Sequence, residues 1–152
     1  MLFLILKILH LFFAGLLAGE EFIVCYGLRL PLRFLDAEPQ TILRHSLIRR
    51  LRIVVPIIFL ATILSTLSLL LISPESFHVW RFVGLAAIIV WILATFFGTV
   101  PINKRVLTWS PTALPENWRQ IVRRWENLDI VRCWAAIAAF LSFLIASISA
   151  GP

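Results

Sequence analysis

The sequence predicts an all-α integral membrane protein: a bundle of four transmembrane helices, with interfacial helices in the first and third connectors. Of the 152 residues, 61% are hydrophobic and 14% are charged, whereas soluble domains carry about 25% charged residues. The hydrophobic residues also form four runs, each long enough to cross a hydrocarbon core of ~30 Å as a helix of about 20 residues. We expect these runs to be the spans of a single transmembrane domain over residues 1–152. They lie at about 2–28, 53–73, 79–100 and 130–150.

Composition and pattern exclude other classes of protein. The runs are continuously apolar, whereas the strands of a membrane β-barrel alternate over short segments. The net charge of +6 lies mainly in the connectors, where membrane orientation and anionic headgroups explain it better than nucleic acid does. Cys25 and Cys133 fall in apolar runs without metal-ligand spacing, which predicts small buried hydrophobic residues. We therefore expect membrane lipids, and no nucleic acid, as partners.

Basic residues are concentrated in two of the three connectors. Connector one, at 29–52, contains six arginines, and connector three, at 101–129, contains five lysines and arginines. Connector two, at 74–78, and the tail at 151–152 contain none. Because basic loops stay on the cytoplasmic side of a membrane, we expect connectors one and three to be cytoplasmic. Both termini would then lie outside, in a plasma or inner membrane.

Both large connectors carry amphipathic patterns. Leucines recur at helical spacing in Thr41–Arg52, while Arg44 and two other arginines occupy other angles. In the third connector an apolar stripe runs beside three arginines, and it consists of Trp118, Ile121, Val122 and Trp125. These patterns predict helices at the membrane interface, with the tryptophans in its aromatic belt. The alternative for Trp118 and Trp125 is an aromatic pair that stacks on a substrate.

Small residues mark the faces on which the spans are expected to meet, since helices in lipid gain little from hydrophobicity alone. They recur in steps of three and four in span three (Gly84, Ala87, Trp91, Ala94, Gly98) and in span four (Ala135, Ala139, Ser142, Ala146, Ser149). We interpret these stripes as packing faces, with a pore lining as the alternative. Pro56 is expected in the first turn of span two, where its missing N–H costs little.

Two carboxylates lie within span one. Charged side chains inside a span cost about 2.5–3.5 kcal/mol, so each needs a partner or a purpose. Glu21 shares a helical arc with Ala14 and Ala18 and should point into the bundle, whereas Glu20, about 100° away, should point towards a different neighbour or another subunit. The expected direction of Glu20 is therefore compatible with a homo-oligomer. A carboxyl in an apolar surrounding can act as an acid or base near neutral pH, and the alternative for Glu21 is a structural ion pair.

Three further polar residues are expected at the same level as Glu21. Asp129 and Arg132 open span four and are three residues apart, so they can pair. Asn103 follows span three. By the predicted topology all four residues lie in the cytoplasmic half, and we treat Glu21, Asn103, Asp129 and Arg132 as the candidate catalytic residues.

The histidines do not predict a metal site. His10 and His78 would both lie towards the outer side of the membrane. Their similar depth alone would allow a haem to bind between them. However, no span pairs histidines at i, i+3 or i+4, and His45 lies in the cytoplasmic connector. We expect neither a metal nor an organic cofactor.

Two stretches resemble the anthrone-oxygenase-like family of four-span membrane proteins. They are Val100–Arg105, which reads VPINKR, and Trp125–Arg132, which reads WENLDIVR. That family typically has Pro-x-Asn at the end of span three, then a Trp and His-x-x-Arg at the start of span four. Pro31–Arg33 also looks like its first connector, but this chain has Asp129 where the family usually has His. The resemblance implies a four-span fold and, as an activity, oxidation of anthrones to anthraquinones by O₂ without a metal or organic cofactor.

Two interpretations of function follow. In the first, the protein is a cofactor-independent oxygenase or oxidoreductase acting on a hydrophobic small molecule. Glu21 or Asp129 would then act as the base and Arg132 and Asn103 as donors to a developing oxyanion, with the two tryptophans of connector three shaping the entrance. In the second, it is a non-enzymatic membrane protein, either a partner in a larger complex or a lipid-binding element. Transport is a weaker third option, since four spans are few for a transporter and no span is interrupted at its middle.

Overall fold

Four long helices build the structure. A computed structural model describes residues 1–72 and 78–149, so connector two from 74 to 77, the tail and the side chain of His78 lie outside the described residues. Helix α1 covers residues 2–33, α2 is Ala37–Ile72, α3 covers residues 78–106 and α4 is Trp118–Ser149. All four are long and apolar enough to cross a membrane, and the described residues contain no β-strand. The predicted fold class is confirmed.

Two of the helices change their winding part-way along. Helix α1 passes from an α-helix at Leu2–Phe22 into a π-helical segment at Ile23–Leu28 and back into an α-helix at Arg29–Arg33. Helix α3 does the same at Ala94–Thr99. A π-helical segment has wider turns, so the residues after it are rotated relative to those before it.

The amphipathic stretches of the connectors continue directly into spans. Thr41–Arg52 is part of the 36-residue helix α2, and the tryptophan stripe begins the 32-residue helix α4. Their position at a bilayer surface stays a prediction. Pro56 lies in the interior of α2, so its predicted position in a first turn is wrong. The helix starts sixteen residues before the apolar run because amphipathic residues also favour helix.

The helices follow a definite order around the bundle. Helix α1 packs closely against both α2 and α4, and α3 packs closely against α4, whereas the backbones of α2 and α3 lie farther apart within the described ranges. Side chains connect α2 and α3, for example the stacked rings of Phe59 and Trp91. The bundle is therefore most open along the seam between α2 and α3.

The predicted small-residue face of α3 packs against α4. Gly84 faces the ring of Phe143, and an added Cβ at Gly84 would overlap that ring. Near the other end of the same contact, a Cβ at Gly98 would lie 2.9 Å from the side chain of Leu128. Small residues thus allow large side chains of α4 to fill the groove of α3.

We call the end of the bundle that holds connectors one and three the charged end. A second apolar cluster lies there, built from Ile48, Ile102, Val106, Trp109 and Val122. The predicted tryptophan stripe packs against this cluster, so the stripe faces the interior of the protein.

Candidate functional site

A cavity of about 250 Å³ lies in the half of the bundle next to the charged end. Its volume is close to the lower end of the ~300–1,000 Å³ typical of small-molecule pockets. Most of its wall is apolar or aromatic, including Phe59, Trp91, Phe96 and Trp125. The polar groups on its wall come from Glu20, Arg44, Arg52, Thr95, Thr99, Asn103 and Arg132. Such a wall suits a mainly hydrophobic molecule with a few oxygen atoms.

The cavity opens sideways, between α2 and α3. Its exposed lining residues are Arg52 and Pro56 on α2 and Phe96 on α3. The side chain of Phe96 is 60% exposed. The mouth of the cavity thus combines one charged residue with two apolar ones.

Both π-helical segments border the cavity. Val24 belongs to the segment in α1, and Thr95, Phe96 and Thr99 belong to the segment in α3. The hydroxyls of Thr95 and Thr99 donate to carbonyls of their own helix, at 2.8 and 3.3 Å. Because π-helical segments are frequent at functional sites, their position here makes the cavity the candidate functional region. We find no signal in the sequence that predicts them.

Arg132 is the centre of a buried charged cluster behind the cavity wall. Its guanidinium donates to the carboxylate of Glu21, and its Nη1 lies 3.2 Å from Oδ1 of Asp129. Trp91 Nε1 donates to Glu21 Oε1 at 2.8 Å. Glu21 and Asp129 are 1% and 2% exposed. The inward position of Glu21 and the pairing of Asp129 with Arg132 are confirmed, and of these three charged residues Arg132 is the one that lines the cavity.

Glu20 faces the interior of the bundle. We expected it to point towards a different neighbour or another subunit. Its side chain lines the cavity, so an outward position towards another subunit is wrong. Its Oε2 is buried and makes no hydrogen bond with the described residues. Because helix α1 packs against both α2 and α4, its interior-facing surface is wider than the arc of small residues and includes Glu20. The Nε of Arg132 is likewise buried without a hydrogen-bond partner.

A second charged cluster lies nearer the charged end, around Glu126. This carboxylate is 3% exposed and pairs, within the described part of the chain, with three arginines. The nitrogen–oxygen distances are 3.1 Å to Arg29, 2.6 Å to Arg33 and 3.6 Å to Arg44. Sequence reasoning missed this cluster. One signal was present: Glu126 and Asp129 share one face of α4, three residues apart.

Arg44 connects the Glu126 cluster to the cavity. It is 4% exposed, lines the cavity and stacks on Trp125, with 5.0 Å between its Cζ and the ring centroid. Its Nε and Nη2 make no hydrogen bond with the described residues. The prediction placed Arg44 on the polar side of an interfacial helix, which is wrong because a carboxylate from α4 reaches it inside the bundle.

The remaining candidate residues separate into two places. Asn103 lines the cavity, and its Oδ1 accepts a hydrogen bond of 2.9 Å from Trp125 Nε1. Trp118 instead lines a polar surface groove together with Arg29, Arg33 and Arg119. Of the predicted aromatic pair, Trp125 alone therefore lies at the cavity.

His10 and His45 do not line the cavity and lie in different halves of the bundle. His10 is buried in the opposite half, where its Nδ1 is 3.1 Å from Ser65 Oγ. His45 contacts the carbonyl oxygen of Val106 at 2.8 Å. In the described part of the chain, no three His, Cys, Asp or Glu residues are grouped as metal ligands would be.

The sequence of the matched region identifies the family. A family model described as anthrone oxygenase matches residues 44–142, which is more than half of the chain. The chain belongs to the anthrone oxygenase family. The predicted resemblance to this family is thus confirmed, and the region matched by the family model includes Arg44, Asn103, Asp129 and Arg132. Glu20 and Glu21 precede it. No curated protein and no solved structure matches the chain.

Proposed function

We propose that this protein is a membrane-embedded oxygenase that oxidises a flat, hydrophobic ketone of the anthrone type with O₂, without a metal or organic cofactor. One observation carries the proposal. The apolar cavity is lined by a carboxylate, Glu20, and a guanidinium, Arg132, each with a buried polar atom that lacks a hydrogen-bond partner. Leaving such an atom unpaired costs about 1–3 kcal/mol, which is expected where a ligand completes the pairing.

The reaction of an anthrone needs a base and an oxyanion donor. A base removes a proton from the methylene carbon, and the negative charge moves to the carbonyl oxygen as an enolate. The carbanion carbon then gives electrons to O₂ and forms a C–O bond, and the peroxide takes up the removed proton. Loss of the second methylene proton, with cleavage of the O–O bond, releases one water and leaves a second carbonyl. Anthrone and O₂ thus become anthraquinone and water.

In this proposal Glu20 is the base and Arg132 is the oxyanion donor. The free Oε2 of Glu20 can accept the methylene proton and return it to the peroxide. The free Nε of Arg132 can donate to the enolate oxygen, and the charge of Arg132 favours the enolate over the ketone. Glu21 and Asp129, our two sequence-based candidates for the base, instead hold the guanidinium in place. This role also accounts for a carboxylate at position 129, because an aspartate can pair with Arg132.

The wall of the cavity supports the choice of a flat, hydrophobic substrate. The ring of Phe59 stacks on that of Trp91, with 5.1 Å between centroids, and Trp125 provides a second large aromatic surface. Offset stacking on aromatic rings adds about 0.5–1.5 kcal/mol beyond the burial of area. The opening past Phe96 would admit a substrate dissolved in the bilayer.

The second candidate is a non-enzymatic role, as a complex partner or a lipid-binding element. It is favoured by the pairing of Glu21 and Asp129 with one arginine, an arrangement that could simply join α1 to α4. The proposed homo-oligomer loses its main argument, because Glu20 faces the cavity. We retain the proposed orientation, with the charged end in the cytoplasm, on the basis of the basic residues in connectors one and three.

The test is turnover of anthrone by purified protein in lipid nanodiscs. Anthraquinone formation, followed by absorbance, should match O₂ consumption one to one and should stop without O₂. Glu20→Gln should lower the rate at least a hundredfold, in line with the usual contribution of a general base. Glu116→Gln, at an exposed position in connector three, is the matched control and should keep the wild-type rate. Equal rates for the two variants would refute Glu20 as the base, and no turnover above the uncatalysed rate would favour the non-enzymatic role.

A further inference from the structure

The guanidinium of Arg44 is a second cationic group on the cavity wall, and the oxygenase reaction leaves it without a role. We propose that Arg44 binds an acidic oxygen group, such as a carboxylate, on the far side of the substrate from the reacting carbon. This inference rests on the proposed function and narrows its substrate class to aromatic ketones that carry an acidic substituent.

The first argument is the charge around Arg44. Among the described residues its one ion-pair partner is Glu126, at 3.6 Å, and Glu126 is also contacted by Arg29 and Arg33 at shorter distances. Three guanidinium groups thus share one carboxylate. Arg29 and Arg33 have side chains that are 26% and 50% exposed, so water screens them, whereas that of Arg44 is 5% exposed. A buried charge with incomplete neutralisation favours an anion.

The second argument is the incomplete hydrogen bonding of the Arg44 guanidinium. Arg44 lines the cavity, and in the described structure its Nε and Nη2 make no hydrogen bond, with Nη2 held only by the 3.6 Å ion pair to Glu126. These two nitrogens form one edge of the planar guanidinium, the geometry that binds a carboxylate through two parallel hydrogen bonds. Trp125 contacts the face of the guanidinium and not this edge. Nη2 carries two hydrogens, so its ion pair with Glu126 leaves one of them for a ligand.

The third argument is the separation of the two cationic groups. Glu126, which pairs with Arg44, and Arg132 are six residues apart on α4, or about 9 Å along the helix axis. A fused-ring ketone is long enough to reach from one to the other. Arg132 would receive the carbonyl oxygen and Arg44 the acidic group, with the rings against the tryptophans between them.

The experiment compares two probes that differ in charge alone: anthraquinone carboxylate and its neutral carboxamide. Quinones quench tryptophan fluorescence, and Trp91 and Trp125 line the cavity, so quenching of the detergent-solubilised protein reports binding. The wild type should bind the carboxylate about tenfold or more tightly than the carboxamide, as expected for a charge-assisted pair. Arg44→Met should abolish this preference.

Two further variants separate binding from folding. Arg44→Lys keeps the charge beside Glu126 and should retain part of the preference, because an ammonium cannot make the paired contact. Arg49→Met removes an exposed arginine of the same helix and should behave as the wild type. If Arg44→Met unfolds, Arg44→Lys still tests the proposal. If that variant prefers the carboxylate probe as strongly as the wild type does, the proposed pair of parallel hydrogen bonds is refuted.

The outcomes distinguish this inference from the proposed function. Equal binding of both probes by the wild type would refute the acidic-group site and leave the oxygenase proposal standing. Failure of both probes to quench would count against both. Displacement of the carboxylate probe by oleate, with oleate bound more tightly than either anthraquinone, would assign Arg44 to a fatty acid and overturn the aromatic substrate class.

Discussion

Arg132→Met tests whether the buried charged cluster behind the cavity holds the bundle together. Arg132 is 9% exposed and pairs with Glu21 on α1 and Asp129 on its own helix. Removing one partner of a buried ion pair typically costs about 3–5 kcal/mol, because the remaining charge has no partner. Here two carboxylates would lose their cation, although Glu21 keeps the hydrogen bond from Trp91. We therefore expect Arg132→Met to lower the free energy of unfolding by at least that amount.

The assay is reversible unfolding in mixed detergent micelles, followed by tryptophan fluorescence. Arg124→Met is the matched control, since Arg124 is exposed on the same helix and its loss should change stability by about 0.5 kcal/mol or less. The triple variant Arg132→Met, Glu21→Gln, Asp129→Asn carries none of the three paired charges and should recover most of the loss. The reasoning is refuted if Arg132→Met is no more destabilising than Arg124→Met, or if the triple variant is as unstable as the single one.

The remaining predictions concern packing and orientation. Gly84→Ala should destabilise the protein by about 1–3 kcal/mol, as overpacking does, because the new Cβ would overlap the ring of Phe143. Gly19→Ala, with nothing within 4 Å of the new Cβ, should instead be neutral or stabilising by up to about 1 kcal/mol, and thermal unfolding of both variants decides; equal effects would contradict the packing. For orientation, a cysteine placed at Ser76 in a variant without Cys25 and Cys133 should react with a membrane-impermeant thiol reagent added outside intact cells. Labelling from the cytoplasmic side alone would reverse the proposed topology.

The cavity separates the roles of the residues in the family motifs. Asn103, Asp129 and Arg132 were grouped as one catalytic set because they lie near one end of the spans. The structure gives them different surroundings: Asn103 and Arg132 line the cavity, and Asp129 lies behind its wall, paired with Arg132. Under the proposed function, the aspartate at the position of the family's usual histidine positions the oxyanion donor, and the base comes from Glu20 on α1.

Local patterns were predictable because a membrane strongly constrains the chain. An apolar run of about 20 residues must form a helix in lipid, since its backbone has no other hydrogen-bond partners. The pairing of Asp129 with Arg132 follows from a spacing of three residues, and the inward face of Glu21 follows from its small-residue neighbours. The packing face of α3 follows from its small residues, because helices in lipid meet where their side chains are small.

The errors arose where a residue's environment depends on another helix. Arg44 looked like a headgroup contact because its carboxylate partner, Glu126, is 82 positions away in the sequence. Glu20 looked exposed because nothing in span one indicates that the seam between α2 and α3 encloses a cavity.

By itself, the sequence determined that the protein lies in a membrane, that it forms four helices, which small-residue faces pack, and to which family it belongs. These properties follow from hydrophobicity and spacing along the chain, which act locally. The tertiary structure decided the order of the helices and therefore the open seam, the cavity behind it and the charged groups that line it. Those features depend on which side chains from distant segments meet in the low-dielectric interior. A charged residue can be buried there only where it finds a partner of opposite charge, and its own identity does not reveal that partner.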